Sequence, residues 1–226
     1  MKNRLLTLVL LTIATVAYSG CKEDSPVTPP TNTTLKTNTV FDMEAPIQDG
    51  WLYYSFDTEA IVPATEASTD RWDIKFRAID FDPTKPDTDK SKYASLIDIF
   101  LRKGFFFLNS GNVNPNGKTV GVIIDSAFTQ VTTAPDDTKF KEEDSTYFAN
   151  PSKSIIPQSF LTYSGSPNHT VAQNASKTLV LKTKNGKYVK MQLLSIYKNH
   201  PATPTTQDDV GFYSLAFVKG DGKRLK

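Results

Sequence analysis

The segment Lys177-Thr178-Leu179-Val180-Leu181-Lys182-Thr183-Lys184-Asn185-Gly186-Lys187-Tyr188-Val189-Lys190-Met191 sets two apolar runs on either side of an Asn-Gly pair. Asn-Gly is the preferred pair for a type I′ turn, whose two central residues both need positive φ, so the segment predicts a β-hairpin. Outward from it, the dominant period from Leu35 onward is two and not 3.6. Trp72, Ile74, Phe76 and Ala78 alternate with Asp73, Lys75 and Arg77, which reads as a half-buried strand with one wet face. Trp51-Leu52-Tyr53-Tyr54-Ser55-Phe56 carries aromatics on both faces, as a strand covered on each side does. Further strands are expected over residues 104–109, 119–124, 177–182, 187–197 and 211–219.

Prolines and polar clusters at 82–92, 112–118, 134–144 and 201–209 separate these strands. One segment, Lys92 to Arg102, fits a short helix as well as a strand. The pattern predicts an all-β chain with long connections, a sandwich or barrel-like fold, in one domain and without an internal repeat.

The chain has 226 residues, 38% hydrophobic and 22% charged, which are globular proportions, and a single cysteine, which excludes a disulfide framework. That cysteine follows a positive start (Lys2, Arg4), an apolar run from Leu5 to Val16, and Ala17-Tyr18-Ser19-Gly20. Residues 1–20 read as a secretory signal, too short to span a bilayer as a helix of the folded protein. Small residues before Cys21 resemble a bacterial lipobox, in which Cys21 is diacylated and becomes the new N-terminus. The alternative is a plain signal cleaved near Gly20 that leaves a free thiol. Loss of residues 1–20 removes two of the 26 basic residues and no acidic ones, so 24 Lys and Arg then balance 24 Asp and Glu. A neutral mature chain gives no support to nucleic-acid binding. Residues 21–34, acidic at Glu23 and Asp24 and then rich in Pro, Thr and Asn, read as a flexible tether, leaving 35–226 as the folded domain. The acidic pair also resembles the export signals of surface-exposed Bacteroidetes lipoproteins.

Enzyme chemistry is not visible. The chain has two histidines, His169 and His200, and neither a G-x-S-x-G nor an H-E-x-x-H sequence. Its glycines are spread along strands and turns and not grouped before a helix as a phosphate site needs. Glu142-Glu143-Asp144 lies among Lys139 and Lys141 and reads as a solvated loop, and Asp87, Asp89 and Asp98 lack calcium-loop spacing. Binding is favoured over catalysis.

Gly50-Trp51-Leu52-Tyr53-Tyr54-Ser55-Phe56 followed by Arg71-Trp72-Asp73-Ile74-Lys75-Phe76-Arg77 resembles the opening of HmuY, the haem-binding lipoprotein family of Bacteroidetes. The resemblance continues through Leu108-Asn109-Ser110-Gly111, Gly117 to Ile124, the Asn185-Gly186 hairpin, Val189 to Tyr197, and Phe212 to Val218. It implies a single-domain, antiparallel, sandwich-like fold shaped like a right hand, with long loops and haem held between two loop-borne tips. It also implies a lipid-anchored protein of the outer membrane, exposed at the surface, which captures haem and hands it to a TonB-dependent outer-membrane receptor.

The best-known members place two histidines between the glycine-rich strand and the late hairpin, and others use methionines. Here the comparable region, residues 132–175, holds His169 and no methionine, with Tyr163 nearer the matched position. Since a tyrosine can ligate ferric haem as its phenolate, His169 and Tyr163 are the candidate haem-iron ligands. The plainer readings are an exposed loop histidine and a strand-end aromatic packing its ring. His200 precedes Pro201 and reads as a loop residue, Met191 as core, and Met43 as exposed near the N-terminal edge. The insertion from Phe81 to Lys103 is longer than the family leads one to expect. The competing class is a surface interaction lipoprotein of the same fold that lacks haem ligands and binds another small molecule, a glycan or a protein.

Overall fold

A computed structural model of the chain describes residues 34–46, 50–79, 104–143, 160–165 and 167–226. The signal sequence, Cys21, almost all of the tether, and the whole 81–103 insertion with its 92–102 segment lie outside the described residues.

Eleven strands are described: β1 Thr37–Glu44, β2 Trp51–Ser55, β3 Ala60–Val62, β4 Ile74–Arg77, β5 Phe106–Leu108, β6 Val120–Ile124, β7 Leu161–Tyr163, β8 Val171–Gln173, β9 Thr178–Lys182, β10 Tyr188–Tyr197 and β11 Val210–Lys219. The strands form a five-stranded sheet ordered β1-β11-β10-β9-β6, a four-stranded sheet ordered β3-β2-β4-β5, and the hairpin β7-β8. Every pairing is antiparallel, and two three-residue 3-10 turns, Ala64–Glu66 and Asp137–Lys139, stand between strands. The all-β expectation holds.

Alternation explains the packing. Leu52, Tyr54, Phe56, Ile74, Phe76, Phe106 and Leu108 of the smaller sheet and its flanks join Leu179, Leu181, Val189, Met191, Leu193, Tyr213, Leu215 and Phe217 of the larger in one buried cluster. Fully burying each such side chain contributes about 1.5 to 3 kcal/mol, which makes this seam the main source of stability. Tyr54 brings an unusual cost to it. Its ring meets Phe56 and Phe217 edge-on at 5.3 and 6.3 Å, yet its hydroxyl is buried without a hydrogen-bond partner among the described residues. Burial, with the Glu59 charge adding, pushes that phenol up to about 12. Tyr54→Phe is therefore expected to stabilise the fold by about 1 kcal/mol, seen as a higher urea midpoint at unchanged slope. A lower midpoint would show that the hydroxyl is satisfied.

Several expectations are corrected. The hairpin forms between β9 and β10, but its turn is not type I′. Gly186 N–H donates to Thr183 O and Thr183 N–H to Lys187 O, each at 2.9 Å, and Gly186 has φ +76° while Asn185 is not among the positive-φ residues. This is a three-residue loop with glycine in the left-handed position, which asks only one residue to leave the usual region. Met43 is 3% exposed and joins the core, because the register of β1 on β11 shifts between Val40 and Met43 at Asp42, whose φ is +51°. Glu143 is buried, its carbonyl accepting from the Ser110 hydroxyl at 3.0 Å, whereas Glu142 is exposed and Asp144 lies outside the described residues.

The expected wet face at 72–78 is the largest correction. Asp73 is 1% exposed, and Lys75 and Arg77 are half-buried. Trp72 precedes β4 and packs with Tyr53 and Val62 on the side away from the main core. Asp73 Oδ2 accepts the Phe56 N–H at 2.8 Å and Oδ1 the Thr119 hydroxyl at 3.1 Å. Beside it, Asn109 Nδ2 donates to Trp72 O at 2.7 Å and Asn109 Oδ1 accepts from Asn114 Nδ2 at 2.8 Å. Gly117 closes this junction so tightly that a Cβ there would lie 2.5 Å from Asn109 O. Trp72 and Ile74, expected on one face, thus pack in different clusters, so the alternation breaks at residue 73 and its carboxyl enters a buried polar junction.

Candidate functional site

Tyr163 ends β7, and the turn at 164–170 leads into β8. The turn is held by Ser164 N–H donating to Thr170 O at 2.9 Å, Thr170 N–H to Ser164 Oγ at 2.9 Å, and His169 N–H to Gly165 O at 2.8 Å. Gly165 at φ +70° and His169 at φ +47° both occupy the left-handed region, which costs His169 more than it costs the glycine. That conformation turns the imidazole back onto the strand end. The Tyr163 hydroxyl and His169 Nδ1 share a short hydrogen bond, with ring centroids 5.9 Å apart at 38°.

The hairpin is fixed from beneath. Phe160, fully buried, meets Phe106 edge-on at 5.8 Å, and Val171 is in the core. Val171 N–H donates to the Tyr197 hydroxyl at 2.9 Å, and Leu193 N–H to Gln173 Oε1 at 2.5 Å, so β8 is tied to β10. Burial raises the Tyr163 phenol above its ordinary value, and both residues of the pair are half-buried. The Tyr197 phenol is raised too, first by burial and then by the nearby Asp208 and Tyr163. Tyr197 had no signal in the sequence that would link it to residue 163, since only the pairing of β8 with β10 brings them together.

His200 lies elsewhere. Its ring stacks on Phe41 at 4.4 Å and 20°, and its Nδ1 is 3.9 Å from Asp42 Oδ1. Met191 is fully buried in the core, as expected. Among the described residues no three His, Cys, Asp or Glu side chains gather as a metal site. A cleft of about 430 Å³ opens beside the β9-β10 turn, lined by residues including Ile61, Pro63, Arg71 and Lys184. Neither Tyr163 nor His169 lines it, and its two cations are paired within the protein, Arg71 to Glu66 at 3.0 Å and Lys184 to Asp70 at 2.9 Å. A phenol and an imidazole in one hydrogen bond can pass a proton between them, which makes the phenol oxygen a potential anionic ligand.

No helix among the described residues is long and apolar enough to cross a membrane. No family model matches the chain, and no curated protein does. Solved structures do resemble it. A protein of Bacteroides vulgatus described as HmuY-like and heme binding is 14% identical, with 80% of this chain and 91% of that one covered at a TM-score of 0.43. The apo HmuY analogue of Tannerella forsythia is 12% identical over 82% of this chain and 95% of its own, also at 0.43.

Proposed function

We propose that this chain is a lipid-anchored binding protein of the outer membrane surface, joined to the lipid through Cys21, that takes up haem at the β7-β8 turn for delivery to a TonB-dependent receptor. The observation that carries the reading is the hydrogen bond between the Tyr163 hydroxyl and His169 Nδ1, the two side chains that the sequence singles out. The donor set fits ferric haem: an oxygen that becomes an anion when it gives up its proton, and a nitrogen placed to receive that proton. Haem, when bound, would supply a Lewis-acidic iron. Tyr163 Oη would hold it, and His169 would keep the proton at Nδ1. Burial of the phenol makes that acceptor necessary, because the hydroxyl alone holds its proton more tightly than an exposed tyrosine does. Nothing in this arrangement calls for bond-making chemistry, so binding and not catalysis is the activity proposed.

The test is a titration of the chain lacking residues 1–21 with ferric and with ferrous haem. The expected result is a Soret shift that saturates at one haem per chain in the ferric state. No shift in either oxidation state would overturn the proposal and leave the same surface to a different ligand.

A further inference from the structure

The outer side of the four-stranded sheet carries a second cluster that the haem reading does not use. In register across it, Lys75 on β4 faces Tyr53 on β2 and Phe107 on β5, and Arg77 faces Trp51. The Lys75 ammonium lies 4.3 Å from the Trp51 ring centroid, 5.8 Å from that of Trp72 and 6.0 Å from that of Phe107. Arg77 Cζ is also 4.3 Å from the Trp51 ring, while its Nε donates to Gly104 O at 2.9 Å. Two cations two residues apart thus share a half-buried aromatic surface.

Among the described residues, Lys75 is the half-buried lysine that reaches no carboxylate. Lys177, Lys182, Lys184, Lys219 and Lys223 each reach a carboxylate, and the buried Lys190 donates to the carbonyls of Phe128 and Val131 at 2.9 and 2.8 Å. No described carboxylate lies within ion-pair distance of Lys75; the nearest in sequence, Asp73, bonds Phe56 and Thr119 instead. Ring faces offset part of the desolvation of an ammonium, but a buried charge without an opposite charge is left short of its solvation in water. Burial, with Arg77 adding, draws the Lys75 amine down to about 8. The face offers cationic groups beside ring surface, so a carboxylate on an apolar body matches it in charge and in surface.

We propose that Trp51, Lys75, Arg77 and Phe107 form a second binding site, whose ligand is an organic carboxylate with a flat or ring-shaped body, its carboxylate meeting the Lys75 ammonium. The site is independent of the haem reading.

The chain's two tryptophans, Trp51 and Trp72, both lie at this cluster, so intrinsic tryptophan fluorescence reports on it directly. The full chain in detergent is titrated with glucuronate and with cyclohexanecarboxylate, each against its neutral counterpart, glucose and cyclohexanol. The expected result is a saturable fluorescence change with at least one acid and with neither neutral compound, weakened by added salt. Which acid binds tells a sugar body from an apolar ring. Lys75→Met is expected to weaken binding about tenfold and Lys75→Arg to retain it, while Tyr163→Phe leaves it unchanged. No saturable change with either acid, an equal response to the neutral compounds, or full binding by Lys75→Met would overturn the proposal. The comparison of acids with neutral compounds stands whether or not Lys75→Met folds.

Discussion

Asp73→Ala is expected to destabilise the chain by about 4 kcal/mol at pH 4 and by only about 1 kcal/mol at pH 7, measured by urea unfolding at each pH. The acidic figure follows from what the carboxyl holds. Removing it leaves the buried Phe56 N–H and the Thr119 hydroxyl without their acceptors, and the seam between the two sheets is anchored at this point. The decline follows from the state of the proton. Burial pushes the Asp73 carboxyl up from 3.8 to about 6; the bonds from Phe56 and Thr119 pull the other way, and the Asp57 charge adds to the rise. A folded value above the unfolded one means that the folded chain holds a proton that the unfolded chain has released across this window. The contribution of Asp73 to stability is therefore full below about pH 4 and is lost as pH rises through 6, an amount of about 3 kcal/mol. Asp73→Asn, which carries no titrating proton, is expected to show a flatter stability profile than the parent between pH 4 and 7. Equal profiles would mean that the carboxyl is ordinary in the folded chain.

Tyr163→Phe is expected to weaken ferric haem binding about a hundredfold, or about 2.7 kcal/mol, because on the proposed reading it removes the oxygen that holds the iron. The substitution keeps the ring that packs at the end of β7 beside the core, so the fold is expected to be unchanged. His169→Ala is expected to act differently. The phenol remains but loses the imidazole as its proton acceptor, and burial holds it above the ordinary tyrosine value. Binding by His169→Ala should be weaker near neutrality and tighten as pH rises, whereas the parent, with the imidazole taking the proton, should vary less. Matching pH profiles for parent and variant would remove His169 from that role.

The two residues behind this prediction were both legible in the sequence, but the bond between them was not. It depends on a left-handed histidine and on a turn seven residues long, neither of which has a periodic signature. The strands show the same division. The runs at 51–56, 72–78, 178–182 and 188–197 announce themselves by apolar runs or alternation and form β2, β4, β9 and β10. β1, β3, β7 and β8 do not: Thr37-Asn38-Thr39 and Leu161-Thr162-Tyr163 are polar or short and become strands because β11 and β8 offer them a partner edge. The alternation also breaks at residue 73, which is why Asp73 reads as wet and is buried under the 109–119 loop that bonds to it. A register shift of one strand on another, as at Asp42, moves Met43 from an expected edge position into the core.

The most direct measurement of the central claim is resonance Raman spectroscopy of the ferric haem complex, excited in the phenolate-to-iron charge-transfer band. The account predicts phenolate ring modes in the parent that shift when the protein is made with ring-deuterated tyrosine and are absent from Tyr163→Phe. A ferric complex without phenolate modes, or one whose modes persist in Tyr163→Phe, would contradict it.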